Sequence, residues 1–193
     1  MTLSSERWTL ADIIALFDGL FADTYQTRLI KGGDEPLYMP ADDATSCHRV
    51  IFARGYFASA LHEISHWCIA GAERRLREDY GYWYLPDGRD ADQQAAFERA
   101  EIAPQALESL FTHACNRPFH VSVDNLGGAV EVDRAAFEAK VLARAERFER
   151  EGLPLRARAF RHALKRFYQD GEPLAHAVAA GRAILDQASW VRR

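Results

Sequence analysis

The sequence predicts an α+β fold, in which a small central sheet is flanked by helices and followed by an all-helical C-terminal layer. Three observations predict this class. Short segments rich in β-branched and aromatic residues lie within residues 27–123. Segments with apolar residues every three or four positions lie before, between and after these strand candidates. Beyond Asp133 the spacing is helical throughout, so strands and helices are segregated along the chain.

The length of 193 residues suggests one domain, and a hydrophobic share of 48% is sufficient for a buried core. We expect a single domain over residues 1–193. It would consist of an α+β core at about residues 9–130 and a helical C-terminal extension at about residues 133–190.

The first elements are one helix and three short strands. The helix is predicted from Thr9 to about Ala22, where apolar residues recur at helical spacing and Thr9 or Ser5 can cap the N-terminus. The strands are predicted at residues 27–31, 37–39 and 49–52. Glycines close the first of them, and Pro40 ends the second.

The later elements are mainly helical. One helix is predicted from Gly55 to near Gly71, and a second from about Ala91 to Ala114, with Pro104 expected to start, kink or interrupt it. Residues 118–123 are expected to form a last short strand. Three more helices are predicted at residues 135–148, 154–168 and 173–185.

Charge and cysteine content narrow the class of protein. The net charge of −4 argues against a surface that coats nucleic acid and suits a cationic substrate. Cys47, Cys68 and Cys115 are too few and too scattered for a disulfide framework. No secretion signal and no apolar run of membrane-spanning length is present. We therefore expect a soluble, cytoplasmic protein with no membrane or direct nucleic-acid contact, and the sequence leaves its oligomeric state open.

The segment His62-Glu63-Ile64-Ser65-His66 carries the strongest chemical signal. Two histidines four residues apart on a helix lie on the same face, one turn apart. Their imidazoles can therefore bind one cation, as in metal sites of the HExxH type. The alternative is a pair of ordinary histidines on a helix surface.

A catalytic metal site usually has three protein ligands, so a third is expected elsewhere. The helix predicted at residues 91–114 offers Glu98, Glu101 and Glu108. At about 100° per residue, Glu101 and Glu108 lie on the flank of the apolar stripe, whereas Glu98 points away from it. Glu101 is the first choice for the third ligand and Glu108 the second.

Two histidines and one carboxylate suit two metals. With zinc, Glu63 would be a general base acting on a bound water, and the protein would be a hydrolase. With iron(II), the same ligands form a facial triad that leaves positions for dioxygen and a substrate. The ligand types alone leave both metals open.

Beyond this motif, the chain resembles the elongation factor P hydroxylase family over about residues 20–130. The resembling segments occur with the family's order and spacing, and they are Thr27–Gly32, Glu35-Pro36, Pro40-Ala41, His62–Gly71, Tyr80–Tyr84, Pro86–Ala91, Pro104–Leu107 and Asp124–Leu126. The C-terminal helical part matches only loosely.

The resemblance implies hydroxylation of the modified lysine of elongation factor P, after a β-lysyl group has extended that lysine. It implies metal binding by His62, His66 and Glu101. Because an unactivated C–H bond needs an oxidant formed at a redox metal, it favours iron(II) with dioxygen as co-substrate, and Glu63 then orients water or a ligand. No motif indicates 2-oxoglutarate. The family's likeness to a metal-dependent bacterial endoribonuclease fold agrees with the α+β class.

An elongated lysine carries ammonium groups on an aliphatic arm, so acidic and aromatic residues are candidate substrate contacts. The acidic ones could pair with the ammonium groups, and the aromatic ones could stack on the arm. These candidates are Asp34, Glu35, Tyr82, Trp83, Tyr84, Asp87 and Asp90.

Three other functions compete with the hydroxylase. A zinc-dependent hydrolase would use Glu63 as its base. A metal-dependent ribonuclease would need a basic cleft, for which Arg74, Arg75 and Arg77 are the candidates, although these could equally contact an acidic partner such as elongation factor P. A binding module with a structural zinc would need a closed, cysteine-rich ligand set, and no cysteine pair is available.

Overall fold

The computed structural model describes residues 9–79, 87–123, 125, 126, 128, 130 and 132–190. Within these residues it contains six α-helices and three strands, which confirms the predicted α+β class with a C-terminal helical layer. In chain order the elements are α1 (Leu10–Phe21), β1 (Thr27–Lys31), β2 (Leu37–Met39), β3 (His48–Phe52), α2 (Phe57–Ile69), α3 (Ala91–Ala114), α4 (Arg134–Glu151), α5 (Leu155–Leu164) and α6 (Leu174–Trp190).

The sheet has the strand order β1-β3-β2, with β1 parallel and β2 antiparallel to the central strand. In this register Val50 of β3 lies between Leu29 of β1 and Tyr38 of β2. Leu29, Val50 and Phe52 are buried, because α1 packs against β1 and α2 against β3. The sheet thereby supports the helix that carries both histidines of the HExxH motif.

An aromatic cluster joins the helices from both ends of the chain. Trp67 of α2 lies edge-on to Phe17 and Phe21 of α1, with ring centroids 5.2 and 4.8 Å apart. Phe160 of α5 contacts Phe17 and also Phe111 of α3, at centroid distances of 6.1 and 5.1 Å. Such pairs favour these edge-to-face arrangements. The cluster therefore fixes α2 and α3 side by side, although the predicted division into core and extension stays a prediction.

Most predicted elements are confirmed within a few residues. The Thr9 hydroxyl caps α1 by accepting a hydrogen bond from the Asp12 amide at 3.2 Å, whereas Ser5 lies outside the described residues. The third strand begins one residue earlier than predicted, and α6 continues beyond the predicted end at residue 185. The helix α3 continues through Pro104, and a π-helical turn at Lys165–Gln169 follows α5.

The prediction of a strand at residues 118–123 is wrong. This segment is irregular, and the side-chain amide of Gln105 satisfies its backbone instead. The Ser122 amide donates to the Gln105 Oε1 atom at 2.9 Å, and Gln105 Nε2 donates to the Ser122 carbonyl at 2.7 Å. A buried side-chain amide thus replaces a neighbouring strand. Among the described helices, none is both long and apolar enough to cross a membrane.

Candidate metal centre

The helix α2 places His62 and His66 one turn apart, with their Nε2 atoms 3.1 Å from each other. The opposite side of α2 carries Leu61, Ile64 and Trp67, which are buried against the sheet and the aromatic cluster. This burial fixes the rotation of the helix, so that both imidazoles face α3 rather than the solvent.

Glu101 of α3 completes a group of three side chains. Its Oε2 atom lies 3.5 Å from His62 Nε2, and its Oε1 atom lies 3.3 Å from His66 Nε2. The Glu101 residue is only 2% exposed. The structure thus brings together the three residues that the sequence predicted as metal ligands, and their ligand atoms lie within 4.8 Å of one another.

The separations between these atoms fit a single metal ion. Two atoms that each lie about 2.1 Å from one ion, at angles of about 90–110°, are about 3.0–3.4 Å apart. The observed contacts of 3.1, 3.3 and 3.5 Å agree with this expectation. Two imidazole nitrogens and one carboxylate are also a donor set that suits zinc or iron(II). The residues present therefore fit a divalent metal.

Glu108 contacts the other side of the His62 ring. Its Oε2 atom lies 2.8 Å from His62 Nδ1, which is the distance of a charge-assisted hydrogen bond. A carboxylate that accepts from Nδ1–H fixes the imidazole tautomer and turns the Nε2 lone pair toward the centre of the cluster. Glu108 was the second choice for the third ligand in the sequence analysis. It contacts His62 Nδ1, the ring atom that points away from the cluster.

The polar face of α3 contains one residue that the sequence analysis missed. Gln105 lies between Glu101 and Glu108 and is fully buried, and its Nε2 atom lies 3.3 Å from Glu101 Oε2. Positions 101, 105 and 108 repeat at helical spacing, so they form a polar stripe within a buried face. Such a stripe is a sequence signal, because buried polar side chains require partners.

Negative charge predominates in the cluster. Desolvation lowers the pKa of His62, but the negative charges of Glu101, Glu108 and Glu63 outweigh it and raise this pKa to about 10. Burial and the carboxylates of Glu101 and Glu108 raise the pKa of Glu63, although both histidines act against this shift. An environment that stabilises an imidazolium ion also stabilises a divalent cation in the same place.

Glu63 and His66 border a small cavity of about 30 Å³. Tyr38, Arg74 and Asp79 form another part of its wall. The backbones of Tyr38 and Asp79 pair with each other, and the Arg74 guanidinium contacts the Asp79 carboxylate. This wall is therefore held in place by its own hydrogen bonds and ion pair.

The predicted substrate contacts make local contacts of their own or fall outside the described residues. Asp34 and Glu35 are exposed, and Asp34 lies 3.5 Å from the Arg54 guanidinium. Asp87 accepts a hydrogen bond from the Leu126 amide at 2.9 Å, and Asp90 caps α3. The aromatic candidates Tyr82, Trp83 and Tyr84 fall outside the described residues. Their roles in substrate binding stay predictions.

Comparison with known proteins agrees with the motifs. The profile of the family described as Elongation factor P hydroxylase matches residues 16–178. The chain is 48% identical to the "Elongation factor P lysine hydroxylase" of Haemophilus influenzae over 159 residues, which cover 82% of this chain and 89% of that protein. The matched region contains all three residues of the cluster and Glu108. The chain therefore belongs to the elongation factor P hydroxylase family.

Proposed function

We propose that this protein is a metal-dependent hydroxylase that acts on the β-lysyl-modified lysine of elongation factor P. The observation that supports this function most directly is the convergence of His62, His66 and Glu101 in a chain of this family. These three side chains would hold the metal. The name of the relative from Haemophilus influenzae supplies the substrate protein and the reaction.

The metal that fits the reaction is iron(II). Bound there, it supplies dioxygen activation, the chemistry that insertion of oxygen into an unactivated C–H bond requires. With His62, His66 and Glu101 as its protein ligands, such a metal would have further positions for dioxygen and substrate. Glu108 keeps His62 in the required orientation through its contact with Nδ1.

Substrate access is expected on the side of His62. The His62 side chain is 25% exposed, whereas that of His66 is 12% exposed and that of Glu101 is 3% exposed. The cavity beside His66, at about 30 Å³, is the smaller candidate for a lysine arm. We therefore assign the arm to the His62 side, and Glu63 to holding a water or substrate group near His66.

The partner of this site is the loop of elongation factor P that carries the modified lysine. A net charge of −4 is compatible with a cationic arm and with a protein that makes no direct contact with nucleic acid. We place the protein in the cytoplasm, where elongation factor P acts.

The test combines metal analysis with an oxygen-dependent assay. The protein is purified without oxygen, its metal is measured, and modified elongation factor P is then incubated with it and analysed by mass spectrometry. We expect iron near one equivalent and, once an electron donor is supplied, the gain of one oxygen atom on the lysine arm when air is admitted. His62→Ala should lose both the iron and the product.

Glu98→Gln is the matched control, because Glu98 lies on the same helix but contacts Gln94 and Lys140 instead of the cluster. It should keep both iron and activity. Tightly bound zinc, together with peptide or ester hydrolysis that needs no oxygen, would overturn the proposal in favour of a hydrolase with Glu63 as base. A folded protein without any metal would overturn the metal centre itself.

A further inference from the structure

A second, larger cavity lies at the C-terminal end of α2, beside the first turn of α5. Its volume is about 320 Å³, and its lining contains Arg75 and Arg156 but no acidic side chain among the described residues. It shares Ala70 and Arg75 with the small cavity beside His66. Two positive charges without an acidic partner in the lining suggest that the cavity has a ligand of its own.

Arg156 is buried with only part of its hydrogen-bonding capacity used. The residue is 9% exposed. Its Nη2 atom donates to the carbonyls of Cys68 and Ala70, at 3.1 and 2.6 Å, and its guanidinium lies 4.6 Å from the Trp67 ring centroid. The Nη1 atom is buried and has no hydrogen-bond partner in the described structure. The positive charge of Arg156 is thus offset by carbonyl dipoles and aromatic rings rather than by a carboxylate among the described residues.

Arg75 brings a second guanidinium to the Tyr25 ring, which also lines the cavity. The Cζ atoms of Arg75 and Arg156 lie 5.7 and 5.6 Å from the centroid of the Tyr25 ring. Neither arginine forms an ion pair with a carboxylate among the described residues. Burial lowers the pKa of Arg156, and the positive charge of Arg75 lowers it further. An anion between the two guanidinium groups would remove their mutual repulsion.

The first turn of α5 adds backbone donors to the cavity. Pro154 is the N-cap of this ten-residue helix and provides no side-chain cap, and both Pro154 and Leu155 line the cavity. The first amides of a helix have no acceptor within the helix, and its N-terminus carries partial positive charge. A helix N-terminus beside two guanidinium groups is the usual construction of an anion site.

We propose that this cavity binds an oxyanion, a carboxylate or a phosphate group, between Arg75, Arg156 and the N-terminus of α5. The volume of about 320 Å³ leaves room for a ligand larger than a single inorganic anion. The Arg75 guanidinium is the charged donor, the buried charge of Arg156 in the cavity wall adds to the positive potential, and the amides at the start of α5 complete the set.

The test is a titration of the metal-loaded protein with sodium phosphate and, separately, with sodium malonate, at constant ionic strength set by sodium chloride. Binding is followed by calorimetry and by the thermal unfolding midpoint. We expect saturable binding of at least one of the two anions. Arg75→Gln should weaken that binding about tenfold, as the loss of one charge-assisted hydrogen bond does. Binding of phosphate alone would identify a phosphorylated ligand, and binding of malonate a carboxylate.

Arg77→Gln provides the matched control, because it removes the same charge from an exposed residue that does not line the cavity. It should bind the anion as the unchanged protein does. Since phosphate can also bind a metal, the titration is repeated with the His62→Ala protein, where anion binding should persist. Equal weakening in Arg75→Gln and Arg77→Gln, no weakening in Arg75→Gln, or loss of binding in His62→Ala would overturn the proposal.

Discussion

Two regions that border the same helix, α2, carry opposite charge. Around His62 and His66, the carboxylates of Glu63, Glu101 and Glu108 outnumber the imidazoles. At the C-terminal end of α2, two arginines line a cavity whose described lining has no acid. One region is therefore suited to a cation and the other to an anion.

The difference between the regions lies in how their charges are supported. At the candidate metal centre, His62 Nδ1 contacts Glu108 and Glu101 contacts Gln105, so residues of α3 support both side chains. Beside the arginine-lined cavity, Arg156 Nη1 has no partner in the described structure. The candidate metal centre thus has supporting contacts from its own residues, whereas the proposed anion site would be completed by its ligand.

The largest expected change in metal affinity comes from removal of a proposed ligand at the candidate metal centre. Glu101→Ala should lower metal affinity by about 10³-fold, because one of three ligands then contributes nothing to a binding energy of roughly ten kcal/mol or more. Metal titration into the metal-free protein measures the change. Wild-type affinity in this variant would show that Glu101 is not a ligand and would point to Glu108.

A smaller effect is expected from the residue behind His62. Glu108→Gln keeps the shape of the side chain but removes the charge that His62 Nδ1 contacts at 2.8 Å. Loss of such a supporting contact should lower metal affinity about 10–100-fold without abolishing binding. The same titration measures it, with circular dichroism as a check on folding.

Glu98→Gln is again the control for this comparison, since it makes the same charge change on the same helix away from the cluster. It should leave metal affinity unchanged. If Glu108→Gln abolished binding completely while Glu101→Ala retained it, the assignment of ligand and supporting residue would be reversed.

The local elements that build the metal centre could be predicted from the sequence. The His62–His66 spacing on a helix is a local property, and the structure has that helix. Angular positions along α3 placed Glu101 on the flank of the packed face, and the structure brings it to both histidines because the helix stays continuous through Pro104. Helical periodicity was therefore sufficient to predict which side chains share a helix face.

Contacts between distant segments could not be predicted in this way. Gln105 replaces a strand partner for Ser122, so an extended segment with strand composition remained irregular. Arg75 and Arg156 come from the turn after α2 and from α5, and they line the same cavity only because α5 packs against α2. No spacing rule connects such residues, since tertiary packing alone determines their distance.

A last effect should be seen in the pH dependence of the metal-free protein. The pKa of His62 is raised to about 10 in the fold, whereas an unfolded histidine has a value of about 6.5. Protonated His62 therefore stabilises the metal-free fold fully below about pH 6.5, and this contribution is lost as the pH rises toward the folded value. Metal affinity should change in the opposite direction, because the metal binds neutral imidazole.

Urea unfolding of wild type and His62→Ala across this pH range measures how the free energy of unfolding depends on pH. A difference in free energy of unfolding that does not vary with pH would mean that the carboxylates around His62 do not hold a proton there, and the contrast with the arginine-lined cavity would lose its electrostatic basis.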